Sequence, residues 1–207
     1  MIFTRSARRI AAACVTATLG VTFAGVAFAQ TPVRVRGTIE KVDGGALTVK
    51  TREGATVVVK VPDTVSVAGV VKRSLSDIKA NDFVGIAAMP QAGGPSRAIE
   101  VLIFPEAMRG TGEGHRAWDL LPESTMTNAT VTETVAKVDG HILTLKYKDG
   151  EQTFVVPPDA PIVSFAPGEK SELKPGAVIF ISGATKADDG TLSAARVTVG
   201  RDVPPPM

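Results

Sequence analysis

An all-β fold built from two similar halves is what this sequence predicts, and three observations predict it. Short runs of Val, Ile, Leu and Thr alternate with polar residues. Gly- and Asp-containing turn dipeptides divide them, and no stretch carries a long helical period. The third observation is internal repetition. Thr38-Ile39-Glu40-Lys41-Val42-Asp43-Gly44 recurs as Thr134-Val135-Ala136-Lys137-Val138-Asp139-Gly140, a shift of 96 residues. The same shift pairs Leu47-Thr48 with Leu143-Thr144, Lys50 with Lys146, Gly54 with Gly150, Pro62-Asp63 with Pro158-Asp159, and Gly94 with Gly190. Twelve of the 26 positions from 38 to 63 are identical without a gap, which is beyond chance and reads as a duplication.

The first 29 of the 207 residues read as an export leader. Arg5, Arg8 and Arg9 form a positive start, an uncharged run from Ile10 to Phe28 follows, and Ala27-Phe28-Ala29 supplies the small residues of a cleavage site. Cleavage near Ala29 predicts a periplasmic or secreted protein with no stable transmembrane segment. It also changes the composition. The 23 Lys and Arg fall to 20 against 21 Asp and Glu, and the only cysteine, Cys14, is removed. A thiol-free chain with a net charge of −1 excludes disulfide staples, thiolate metal cages and cysteine nucleophiles. It also excludes a generally basic nucleic-acid surface.

Each copy divides into strands in the same order. Val33, Val35 and Ile39 alternate with Arg34, Arg36 and Thr38, and the phase slips between Ile39 and Val42. The second copy repeats the slip between Val135 and Val138, and one extra residue that reverses side-chain facing is the signature of a β-bulge. Asp43-Gly44 and Asp139-Gly140 then turn the chain. Strands follow over 47–51 and 55–61, and over 143–147 and 152–156, with turns at Glu53-Gly54 and Asp149-Gly150. A strand over 65–71 leads to Ser74-Leu75-Ser76-Asp77-Ile78-Lys79, one helical turn capped by Ser74. Strands over 83–88 and 98–104 complete the first copy; 171–174, 178–183 and 194–199 are their counterparts.

The predicted architecture is therefore two tandem five- to six-stranded OB-like barrels related by internal duplication, each with a short helical turn before its fourth strand. The predicted boundaries are a signal peptide over 1–29, a first module over 30–104, a connector over 105–127, a second module over 128–200, and a Pro-rich tail over 201–207 that ends in a solvated, extended Pro204-Pro205-Pro206-Met207. Each copy is small and poor in aromatics, so the two modules are expected to pack together.

The connector has no counterpart in the other copy and gathers the unusual residues. Gly110-Thr111-Gly112-Glu113-Gly114-His115-Arg116-Ala117-Trp118-Asp119 holds the only tryptophan and one of two histidines. Connectors this long tend to be functional or wrapped onto a domain, so Trp118 and Leu120 plug a groove between modules, belong to a ligand site, or ride on a flexible loop. Candidate partner-binding residues are Arg109, Glu113, His115, Arg116, Trp118 and Asp119. Met108, Glu113, His115, Asp119 and Met126 form an alternative metal-ligating set of thioether, imidazole and carboxylate donors. The glycines do not follow the G-x-G-x-x-G spacing of a phosphate loop. Strand aromatics (Phe83, Phe104, Tyr147, Phe154, Phe180) are too sparse for a base-stacking groove. The chain lacks G-x-S-x-G and H-E-x-x-H, and its repeated aspartates sit at turns. These features predict a non-catalytic binding or structural module without a cofactor, for a protein or cell-envelope partner, with a metal-handling accessory as the alternative.

The repeated T-[IV]-x-K-V-D-G…L-T…[ED]-G…P-D pattern, followed by Leu75-x-x-Ile78-Lys79 and Leu173-Lys174-Pro175-Gly176, resembles a family of exported bacterial domains of unknown function. These are small β-barrel modules, often in tandem. The resemblance covers about two thirds of the chain after the leader and implies architecture, with no catalytic or binding residues to carry over. The central G-T-G-E-G-H-R-x-W-D stretch is similar to bacterial proteins sometimes labelled metal transporter permeases. A permease needs several membrane spans, so what this likeness implies is an accessory role near a transporter.

Overall fold

The computed structural model describes residues 32–137 and 140–205, so the leader lies outside the described residues. Fourteen strands run through the described residues. They are β1 (Val33–Asp43), β2 (Ala46–Thr51), β3 (Thr56–Lys60), β4 (Ser66–Lys72), β5 (Phe83–Gln91), β6 (Gly94–Ile103) and β7 (Gly114–Ala117). They continue with β8 (Thr125–Lys137), β9 (Gly140–Tyr147), β10 (Gly150–Val156), β11 (Ile162–Pro167), β12 (Val178–Lys186), β13 (Leu192–Ser193) and β14 (Arg196–Gly200). Short 3₁₀ turns occupy Leu75–Asp77, Glu106–Met108 and Lys170–Glu172. Among the described residues no helix is long and apolar enough to cross a membrane.

The all-β class holds, and the local chemistry accounts for it. Along β1, Val35 and Ile39 face inward at 3% and 1% exposure while Arg34 and Thr38 face out. The β1–β2 register slips between Ile39 and Lys41, where the sequence places a bulge. In the second copy the slip falls between Val131 and Glu133, four residues earlier than expected; Val138 lies outside the described residues. The turn after Ser74 forms as the sequence predicts, with the Asp77 carboxylate accepting from the Ser74 backbone N–H at 2.8 Å.

How the strands close is different from the expectation. The ladders run β1–β2–β3–β13–β12 and return from β12 to β1, closing a five-strand barrel. A second ring of ladders runs β8–β9–β10–β6–β5 and returns to β8. Each ring takes strands from both sequence copies, so the ladders close across the boundaries at 104 and 128 instead of within 30–104 and 128–200. The ring containing β5, β6 and β8–β10 is continuous in sequence. The other joins the two ends of the chain.

Two buried clusters repeat this division. Val35, Ile39, Leu47, Val49 and Val59 pack with Ile179, Ile181, Leu192, Val197 and Val199. Ile78, Val84, Ile86 and Val101 pack with Val131, Leu143, Leu145, Phe154 and Ile162. Between the rings, β4 and β11 pair antiparallel, while β4 pairs parallel with β14 and β11 parallel with β6. The hydrogen-bonded order β12–β14–β4–β11–β6–β5–β8 is thus one continuous curved sheet. Gly168 permits the chain to cross here, since a Cβ on it would stand 2.8 Å from the Gly69 backbone nitrogen.

Just before the prolines, Arg201 donates to the Glu172 carboxylate at 2.9 Å and to the Pro167 carbonyl at 2.7 Å. Of the end expected to be solvated, Pro204 is exposed and Pro205 is buried, while residues 206–207 lie outside the described residues.

Candidate functional site

The curved sheet has a concave side, and its lining is unlike a solvated strand face. In β6, Val101 faces a barrel core while Leu102 and Phe104 just beyond face the concavity. In β5, all six residues from Phe83 to Ala88 are buried, because Val84, Ile86 and Ala88 fill the core while Gly85 and Ala87 face the other way. Phe165 of β11 and Phe180 of β12 add aromatic walls. The result is a cleft of about 650 Å³, roofed by the connector through Met108, Thr111, Gly112, Arg116 and Trp118. Phe83, Phe104 and Phe165 form a chain of rings with centroids 5.3 and 6.1 Å apart.

The connector is an ordered strap. The 3₁₀ turn at Glu106–Met108 leads to positive-φ Gly110, Gly112 and Gly114, which reverse the chain into β7. There β7 pairs antiparallel with β8, setting Arg116 opposite Met126. Asn128, 6% exposed, donates from Nδ2 to the Thr111 carbonyl at 2.9 Å and so holds the strap on β8. Its Oδ1 lies over Gly85, where a Cβ would approach it to 2.8 Å. The following turn is tied by buried Ser124, whose hydroxyl donates to the Leu121 carbonyl at 2.8 Å, while the Trp118 backbone N–H donates to the Ser124 carbonyl at 2.8 Å.

This turn delivers Trp118 and Asp119 to the outward arginines of β1. The Arg34 guanidinium lies 4.2 Å from the Trp118 ring centroid, Arg116 5.5 Å and Arg36 5.8 Å. Asp119 accepts from Arg36 at 2.9 Å and from Arg34 at 3.2 Å. Burial pushes the Asp119 carboxyl upward, but the hydrogen bonds and charges of Arg36 and Arg34 more than offset it and hold the group below its ordinary value. Burial, and then repulsion from Arg34, draw the Arg116 guanidinium below its usual value. Three guanidiniums therefore gather around a single indole, and two of them, Arg34 and Arg36, share the Asp119 carboxylate.

A single cross-strand row runs from the strap across the cleft. Arg116 opposes Met126, Met126 opposes Ala87, and Ala87 opposes Glu100. At about 4.8 Å per strand, Arg116 and Glu100 are roughly 14 Å apart along the backbone. Glu100 is 3% exposed. The row thus leads from a guanidinium on the strap to a buried carboxyl on β6, with a thioether and a methyl group between them.

Of the six candidate partner-binding residues, Arg116, Trp118 and Asp119 come together. The others are committed elsewhere. Arg109 holds Glu106 at 2.6 Å and the Asn81 carbonyl at 2.8 Å. His115 Nδ1 shares a hydrogen bond of 2.7 Å with the Thr127 hydroxyl, and Glu113 accepts from the Lys148 backbone N–H at 3.1 Å. The metal-ligating set is dispersed in the same way. Met108 and Met126 line the cleft while Asp119 is spent on two arginines, and among the described residues no group of three or more His, Cys, Asp or Glu is placed to hold an ion.

Sequence reasoning missed the cleft walls, Leu102, Phe104, Phe165 and Phe180, and the polar residues Glu100 and Asn128. A signal was present in the unbroken apolar runs Phe83–Ala88 and Val101–Phe104. Strands facing water on one side alternate, whereas runs without alternation report burial of both faces. No family model, no curated protein and no solved structure matches the chain.

Proposed function

We propose that this chain is an exported, non-catalytic binding protein of the periplasm that engages a protein or cell-envelope partner through the cleft beneath its connector. One observation carries the reading: a strap absent from the other sequence copy roofs an aromatic cleft and is pinned by an arginine–tryptophan–aspartate clamp. Apolar clefts of this size with a few polar groups are the usual form of binding sites. Glu106, Arg109, Glu113, His115 and Asp119 of the strap are engaged in fixed contacts, which suits a clamp better than proton transfer. The near-neutral charge after leader removal favours partners other than nucleic acid.

We also read the two strand rings as OB-like barrels descended from one duplicated unit. The identity between copies supports it, as does the ladder order within each ring, where the third strand runs parallel to the last.

A photo-crosslinking residue tests the location of binding. Placed at Met108 in the cleft, it is expected to yield an envelope-derived adduct that disappears when Trp118→Ala is added. The same residue at Val58, which is 49% exposed on β3, is expected to yield none. Equal adducts from both positions, or none from Met108, contradict the assignment.

A further inference from the structure

The cleft has one chemically unbalanced group. Arg116 donates to the Gly112 carbonyl at 2.8 Å, yet its charge has no carboxylate within ion-pair distance among the described residues, because Asp119 is turned toward Arg34 and Arg36. Its Nη2 lies 3.5 Å from the point where a Cβ on Gly112 would stand, and it lines the same cleft as Phe104, Phe165 and Met108. A half-buried guanidinium beside aromatic and thioether walls is suited to a ligand with an anionic head and an apolar body.

We propose that the cleft takes a single-chain acyl anion, its carboxylate or phosphate head on Arg116 and its hydrocarbon chain among Phe104, Phe165 and Phe180. This rests on the reading of the cleft as the binding site and specifies its ligand.

Three features favour this occupant. The volume of about 650 Å³ lies within the roughly 300–1,000 Å³ of small-ligand sites. The cross-strand row Arg116–Met126–Ala87–Glu100 carries its one guanidinium at the strap end, which sets the direction of a single anionic head group. The walls, finally, are sheet faces. The strands β4, β5, β6 and β11 each have hydrogen-bonded neighbours on both sides, so a peptide laid across them cannot pair its backbone by strand addition. Burying unpaired peptide groups is costly, whereas an acyl chain has none to satisfy.

Trp118 is the only tryptophan and stands in the cleft roof, so its emission reports occupancy; calorimetry gives an independent reading. The leaderless chain is titrated with dodecanoate, dodecyl phosphate, dodecanol, dodecyltrimethylammonium and the tripeptide Leu-Phe-Leu. Both anions are expected to bind saturably, with dodecanol at least tenfold weaker and the ammonium and tripeptide without effect. Arg116→Gln is expected to weaken both anions tenfold or more, with dodecanol affinity and melting temperature unchanged. Dodecanol or the ammonium binding as tightly as dodecanoate overturns the anion assignment, and tripeptide binding without dodecanoate binding overturns the acyl assignment. Either result leaves the cleft a binding site. No response to any of the five probes overturns the acyl assignment, while the Met108 crosslink decides separately whether the cleft is a binding site.

Discussion

Replacing Phe154 by alanine is expected to lower the unfolding free energy by about 3–5 kcal/mol, the cost of a large cavity in a closely packed core. Phe154 is fully buried on β10, among Ile86, Leu143, Leu145 and Val101. Its counterpart at the 96-residue shift is Val58, which is 49% exposed, and Val58→Ala is expected to change stability by no more than about 0.5 kcal/mol. The asymmetry comes from turn length. Lys50 opposes Thr56 in the first copy, whereas Tyr147 opposes Gly150 in the second, leaving a two-residue loop of Lys148 and Asp149. A one-residue difference in register reverses every inward and outward position that follows. Denaturant unfolding followed by circular dichroism measures both variants, and similar losses at the two positions would contradict the register.

Ending the chain after Pro167 is expected to unfold β1–β3, although every residue of the first copy is retained. The deletion removes eight of the fourteen buried residues of the first core cluster, from Leu173 to Val199. It also leaves β1 without β12, and β3 without β13. The second cluster, from Ile78 to Ile162, keeps every buried member. Hydrogen exchange should show rapid exchange over 33–61 with protection retained over 83–103 and 129–156. Protection persisting over 33–61 would mean that the first copy closes on itself.

Much of the local structure is legible in the sequence, because alternation, turn dipeptides and caps act over a few residues. The bulge after Ile39, the Ser74–Asp77 turn and the inward set of β1 are of this kind. Strand closure is different. The period of β1 determines which side chains face inward but not which strand lies beside it, and β5 and β12 occupy matching positions in the two copies. The choice depends on where the chain travels after β4, a matter of the β4–β11 crossing at Gly69 and Gly168. The connector reads in the sequence as a segment apart that gathers Trp118 and the glycines. Its clamp is not legible there, because Arg34 and Arg36 read as ordinary outward residues of an alternating strand until β7 and the Ser124-tied turn bring Asp119 to them. The strand β11 escaped notice because Pro161 and Pro167 punctuate it, although prolines at strand ends leave the intervening ladder intact.

Closure across the copies is most directly tested by a pair of cysteines in the leaderless chain, which has no other thiol. Thr38 of β1 lies opposite Val178 of β12, and antiparallel partners are within disulfide range, at about 4.5–5.5 Å between Cα atoms. Thr38→Cys with Val178→Cys is expected to oxidise readily to an intramolecular disulfide in the folded monomer. Thr38→Cys with Phe83→Cys, the partner required if the first copy closed on itself, is expected to remain reduced. Crosslinking of 38 to 83, with 38 and 178 left as free thiols, would contradict the interleaved fold.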